Sequence, residues 1–201
     1  VAGDMLLNAY YDARVTEKEP GAALEIYRRY HHALLQMAEA EATGNNLTVA
    51  NTLLQVTGGK MFGFANLLRK ATAELNAVKS GEDVPTVAVV GEIYVRCDPF
   101  ANDFVIDRLA ERKVRALFAP FIEWLEYTDH LNRTTGDASG FGDQVSSLVQ
   151  RRIQRLGYSI VASRMGWPPP TTVKDSLKAS APYMRDALTG EAVLTIGGPV
   201  H

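Results

Sequence analysis

The chain has 201 residues, enough for one large or two small domains. Hydrophobic residues make up 46% and charged residues 22%, an ordinary globular composition, and a formal net charge of −2 argues against a nucleic-acid surface or an electrostatic membrane patch. No apolar run approaches the ~20 residues of a membrane span, no secretory signal opens the chain, and a single cysteine, Cys97, excludes an internal disulfide and fits a reducing, cytoplasmic setting.

Residues 1–80 read as a helical region. Pro20-Gly21 punctuates it, and Ala22 to Ala42 is rich in helix formers. Leu24, Ile26, Tyr27, Tyr30, Leu34, Leu35 and Met37 fall there at roughly helical spacing. Gly44-Asn-Asn46 breaks that pattern. A shorter helix is expected from about Thr48 to Val56, ending at Gly58-Gly59. Another is expected from about Phe62 to Val78, with Phe64, Leu67, Leu68, Ala71 and Leu75 on one face. Gly81-Glu-Asp-Val-Pro85 is the hinge into the next layer.

From Thr86 the pattern changes. Val87 to Val90 is a continuous apolar run, as a strand buried on both faces requires. Gly91 follows, then a polar and aromatic loop, then a helix over about 102–113 with Val105, Ile106, Leu109 and Ala110 inward. Val114 to Ala119 is a second strand, and Pro120 starts a helix carrying Phe121, Ile122, Trp124 and Leu125. Strand, helix and strand with short links predict a right-handed parallel βαβ unit. Residues 134–140 read as a loop. A long helix is expected over about 143–165, with Val145, Leu148, Val149, Ile153, Leu156 and Ile160 as its stripe, stopped by Trp167-Pro-Pro-Pro170. A last helix over about 181–188 leads through Gly190 to a third strand, 192–196. The expected fold is therefore α/β: residues 81–201 as a parallel Rossmann-like sheet flanked by helices, beside the helical region 1–80. A chain that opens on Val1 and closes on a loop after a strand reads as a piece of a longer protein.

In open α/β sheets the sites lie beyond the carboxyl ends of the strands. That rule singles out Glu92, Tyr94 and Arg96 after the first strand and Glu123 after the second, with Gly197 after the third. A carboxylate, a phenol and a guanidinium there read either as ligand or partner contacts, or as a structural loop in which Arg96 pairs with Glu92 or Asp98. Asn102 reads as a ligand contact or, more simply, as the cap of the following helix. Trp124 reads as core. His31, His32 and His130 lack partners at metal-binding spacing, and Gly58-Gly59 and Gly197-Gly198 lack the context of a phosphate loop. Cys97 has no adjacent base.

Gly91-Glu-Ile-Tyr-Val-Arg96, Asp98-Pro-Phe-Ala-Asn102 and Phe104-Val-Ile106 together resemble the 2-hydroxyacyl-CoA dehydratase and benzoyl-CoA reductase-type superfamily, and in particular the dehydratase-like part of CoA-substrate-specific enzyme activases. Glu123-Trp124 with Tyr127, Ser180-Ala-Pro-Tyr183, Gly190-Glu-Ala-Val-Leu194 and Glu17-Lys-Glu-Pro-Gly21 extend the resemblance over most of the chain. The resemblance implies a system that couples ATP hydrolysis to low-potential electron transfer through iron–sulfur clusters. Its implied partners are other domains of the parent protein and an ATPase activator, with no nucleic acid and no membrane. It also implies an iron–sulfur cluster in the full-length protein. This segment departs from the family there, because a cluster needs about four thiolates and Cys97 is alone. No cofactor or metal site is therefore expected within these residues. The alternative function is a module that binds an acyl-CoA or a protein partner without chemistry of its own.

Overall fold

The computed structural model describes residues 1–44, 48–119, 121–135, 141–168, 172–185 and 190–200. Helices dominate them. The elements are α1 (Ala2–Ala13), α2 (Ala22–Thr43), α3 (Val49–Thr57), α4 (Phe64–Val78), β1 (Thr86–Val89), α5 (Ile93–Cys97), α6 (Val105–Glu111), β2 (Arg115–Phe118), α7 (Phe121–Thr135), α8 (Phe141–Met165), α9 (Val173–Ser180) and α10 (Ala192–Val200).

The main core forms where α1, α2, α4 and α8 meet. Met5, Leu6 and Ala9 of α1, Leu68, Ala71 and Leu75 of α4, and Ile160, Val161 and Met165 of α8 are all buried there. The spacing of these residues puts each set on one helical face, so burying that face fixes the helix against its neighbours. The stripe expected on α8 holds toward its C-terminal end, but Leu148 is 70% exposed. Asp12, only 3% exposed, ties this core together: it lies 3.3 Å from Lys79 Nζ and 2.7 Å from Arg115 Nε, and accepts the Trp167 indole N–H at 2.8 Å.

The sheet corrects the expected fold class. β1 and β2 pair in parallel, Thr86 opposite Arg115 and Val89 opposite Phe118, and they are the whole sheet among the described residues. The third strand expected at 192–196 is helix α10. The protein is thus a helical one with a two-stranded parallel element, not a Rossmann-like α/β layer. A short apolar run is compatible with a buried strand or a buried helix, and periodicity alone cannot separate them. Packing decides here: α10 lies against α9 so closely that a Cβ on Gly197 would overlap the Ser176 backbone. With no third strand among the described residues, β1 is not buried on both faces as expected, and Val87 is 39% exposed.

Two smaller differences bear on the site. The loop expected after β1 is the short helix α5. The helix expected from Asn102 begins at Val105, because Asp103 and Phe104 adopt left-handed backbone angles. The helix expected over 181–188 also moves. Its signal lies earlier, in a capping box where Thr172 accepts from Asp175 N and the Asp175 carboxylate accepts from Thr172 N. Residues 181–184 form a turn after α9. The expectations for Asn45 and Asn46, Pro120, residues 136–140, Pro169 and Pro170, and 186–188 lie outside the described residues.

The two-stranded element is anchored to α1. Ile106, Ala116 and Phe118 are buried together, Tyr11 meets Phe118 edge-on at 6.0 Å between centroids, and Arg14 pairs with Asp107 at 2.7 Å. A third cluster joins α7, α9 and α10 through Tyr127, Val173, Val193 and Leu194.

Candidate functional site

The chain leaves β1 through Gly91, whose φ of +127° suits a residue without a Cβ. Glu92 then caps α5, its carboxylate accepting from Val95 N at 2.9 Å. Asp98 accepts from Phe100 N at 2.9 Å. Asn102 clamps the turn from both ends: its side-chain amide donates to the Arg96 carbonyl at 2.9 Å, and its Oδ1 accepts from Val105 N at 3.2 Å. These three polar residues are spent on backbone, so the loop is built to hold one shape.

What that shape holds is Arg96. It is 9% exposed, its guanidinium lies 5.5 Å from the centroid of the Phe118 ring, and Nε has no hydrogen-bond partner among the described residues. Neither Glu92 nor Asp98 pairs with it, so the structural bridge weighed from sequence is not formed. Arg96 instead faces a nearly closed cleft at the carboxyl end of the strand pair, with about 10 Å³ of open space, no more than a single water needs. Gly91 and Ala119 lie at the strand ends, Glu123 and Trp124 come from α7, Glu191 comes from the turn just before α10, and Leu194 and Thr195 come from its first turn. Burial pushes the Glu123 carboxyl above its ordinary range; the Arg96 charge draws it back and Glu126 raises it further. Glu191 Oε2 is buried and without a hydrogen-bond partner among the described residues. Among the described residues, an unpartnered buried donor and an unpartnered buried acceptor therefore share one cleft.

A shallower groove of about 590 Å³ adjoins the cleft, sharing Trp124 and Glu191 as a common wall and lined also by Glu92, Ile93, Tyr94, Cys97 and Asp98. Of the five residues predicted from sequence, Arg96 and Glu123 share the cleft. Glu92 and Tyr94 line the groove beside it, and Asn102 lines neither. Gly197 is not at this edge; it packs on Ser176. Sequence reasoning missed Glu191 and gave Trp124 to the core. The signal for Glu191 was its place in the Gly190-Glu-Ala-Val-Leu194 segment, obscured by reading 192–196 as a strand.

The hydroxyl of buried Tyr127 accepts a hydrogen bond from Gly190 N at 3.3 Å, which fixes the approach to Glu191. Segments 91–106, 123–127 and 190–194 thus converge on one place although they are dispersed over a hundred residues.

The residues here do not fit an iron–sulfur cluster. Cys97 is exposed and alone, and no group of three or more His, Cys, Asp or Glu side chains among the described residues is arranged to hold a metal ion. No described helix is long and apolar enough to cross a membrane. No protein-family model matches this chain, nor does any curated protein or solved structure.

Proposed function

We propose that this chain is a scaffold segment of a dehydratase-like component in an ATP-driven low-potential electron-transfer system acting on CoA thioesters, with the cluster ligands outside these residues. The observation that carries the reading is the convergence of three segments that bear the resemblance, 91–106, 123–127 and 190–194, on the cleft of Arg96, Glu123 and Glu191. A likeness confined to local helix or strand preferences would leave those segments scattered. In this reading the segment contributes a rigid, charged crevice. Arg96 offers an N–H to a carbonyl or carboxylate oxygen, and Glu123 holds a proton more readily than an exposed carboxyl.

The test is an anaerobic assay of the protein carrying this chain, supplied with ATP, a low-potential electron donor and a 2-hydroxyacyl-CoA. ATP-dependent dehydration of the thioester is the expected result. Its absence, with the protein folded and its clusters reconstituted, contradicts the reading.

A second reading is favoured by exposed aromatic side chains in the 94–104 segment, of which Tyr94 lines the groove. Tyr94, Phe100 and Phe104 are exposed, Phe100 to 85%. Such a surface suits a module that docks an acyl-CoA or a protein partner and performs no chemistry. Binding of a thioester or partner without turnover separates this reading from the first.

A further inference from the structure

β1 has one open edge. Backbone groups in a strand alternate in direction from residue to residue. Pro85 O accepts from Arg115 N at 2.8 Å and Val89 O accepts from Ala119 N at 3.3 Å, so the odd-numbered residues of this stretch bond toward β2. The N–H and C=O groups of Thr86 and Ala88 therefore face away from β2. Among the described residues no other strand lies on that side, and no backbone bond outside the strand pair reaches Thr86 or Ala88. Thr86, Val87 and Ala88 are all exposed.

Native edge strands are normally blunted by a charge, a proline, a bulge or a covering element. β1 has none of these. Thr86-Val-Ala-Val-Val90 is uncharged, its register with β2 runs without a bulge, and its side chains are exposed at 86–88. Pro85 precedes the strand, but it stands on the side that bonds β2 and leaves the open edge unshielded. β2 differs: α1 engages it through Tyr11 against Phe118 and Asp12 against Arg115. The β-branched residues of β1 favour further pairing, and two strands alone are fewer than a sheet needs to be stable by itself.

We propose that β1 pairs with β1 of a second copy of this chain, antiparallel about a two-fold axis, joining the two strand pairs into one sheet. A row of outward backbone donors and acceptors takes an extended strand. Among the described residues β1 is the extended segment with a free edge, so a second copy presents the matching one. Antiparallel pairing requires the outward-facing residues to meet one another. With Ala88 on the axis, Thr86 falls opposite Val90 of the second copy, while Glu82 and Glu92 fall opposite its Tyr94 and Val84. Sliding the ladder one step one way sets Glu82 opposite Glu92, a like-charged pair that destabilises. The opposite slide pairs Thr86 with Glu92, which is already spent capping α5. Charge thus selects the register centred on Ala88. Each copy has one such edge, so the pairing closes at a dimer. The inference uses neither the cleft nor the resemblance and stands apart from the dehydratase reading.

The experiment is sedimentation of the 201-residue chain from micromolar to millimolar concentration, repeated with Ala88→Pro, Ala88→Lys, Ala88→Glu and an equal mixture of the last two. Ala88 is exposed and its N–H faces away from β2, so proline there removes no bond of the strand pair, and circular dichroism melts verify that each variant folds. A reversible monomer–dimer equilibrium is expected, and a weak one, because a single strand pairing buries less than a standard interface. Ala88→Pro should weaken it by roughly tenfold or more. Ala88→Lys sets two ammonium groups opposite each other on the axis, so it should weaken the dimer and salt should restore part of the loss. The lysine–glutamate mixture should associate more tightly than either variant alone. A wild-type chain that stays monomeric overturns the proposal, as does a dimer that Ala88→Pro and Ala88→Lys leave unchanged. A mixture no tighter than its components overturns the two-fold register. A chain that stays monomeric yet captures a synthetic Thr-Val-Ala-Val-Val peptide gives the edge to a foreign strand and overturns the second copy as its occupant.

Discussion

Asp12 accepts the indole N–H of Trp167 at 2.8 Å across 155 positions of sequence, and so joins the first helix to the end of α8. The same carboxylate faces Lys79 and Arg115, which makes it the point where the helical core and the strand pair are fastened together.

Removing that carboxylate leaves two cations and an indole without their acceptor in a buried place. Asp12→Ala should therefore cost about 3–5 kcal/mol of unfolding free energy, the range for breaking a buried ion pair. Asp12→Asn keeps one acceptor for Trp167 and should cost less. Urea denaturation followed by circular dichroism measures both. A loss under about 1 kcal/mol for Asp12→Ala, the level of an exposed pair, would show that Asp12 is not the fastening point.

The close approach of α9 and α10 is tested at two neighbouring glycines. A Cβ on Gly197 would overlap the Ser176 backbone, whereas a Cβ on Gly198 meets nothing within 4 Å. Gly197→Ala should destabilise by at least about 1–3 kcal/mol through overpacking. Gly198→Ala should be neutral or stabilising by up to about 1 kcal/mol, since alanine is the better helix former. Equal effects from the two substitutions would mean that 192–200 does not pack on α9 as helix.

Much of the helical frame was legible in the sequence. α2, α3, α4 and α8 each carry an apolar stripe bounded by glycine, proline or a capping residue, and these signals are local. The third strand was not legible. Val193, Thr195 and Ile196 favour a strand by their β-branching, and the segment is helix where it packs on Ser176 and Tyr127. The site divides the same way. Arg96 and Glu123 followed from the rule that sites lie beyond strand ends. Glu191 did not, because it reaches the cleft only once α10 is a helix and Gly190 is held by Tyr127. The capping box at Thr172 and Asp175 is a local signal, a threonine followed three residues later by a carboxylate.

Glu123 gives the cleft a pH signature. Its carboxyl is raised above the ordinary value of 4.5, first by burial, with Arg96 opposing and Glu126 adding. The folded protein then holds a proton that the unfolded chain gives up, in the window from the ordinary value up to the raised one. Stability from this group is full below that window and falls as pH rises through it. Asp129 contributes the opposite slope: burial pushes it up, but Ser147, Arg133 and Arg151 outweigh that and hold it low, so its contribution is lost on acidification. The difference between wild type and Glu123→Gln isolates the first effect. The variant should gain stability relative to wild type as pH rises above the window, measured as urea midpoints across a pH series. A difference that does not vary with pH would remove Glu123 from the buried cleft.

The central claim is that the cleft around Arg96 serves a function and is not merely a device of folding. The most direct measurement is ATP-dependent dehydration of a 2-hydroxyacyl-CoA per folded molecule, comparing Arg96→Lys with wild type in the protein that carries this chain. Lysine keeps the charge but loses the planar fork that grips an oxygen pair. The account predicts an unchanged melting curve and lower activity per folded molecule. An activity that falls only in proportion to the folded fraction would contradict it and reduce Arg96 to a structural residue.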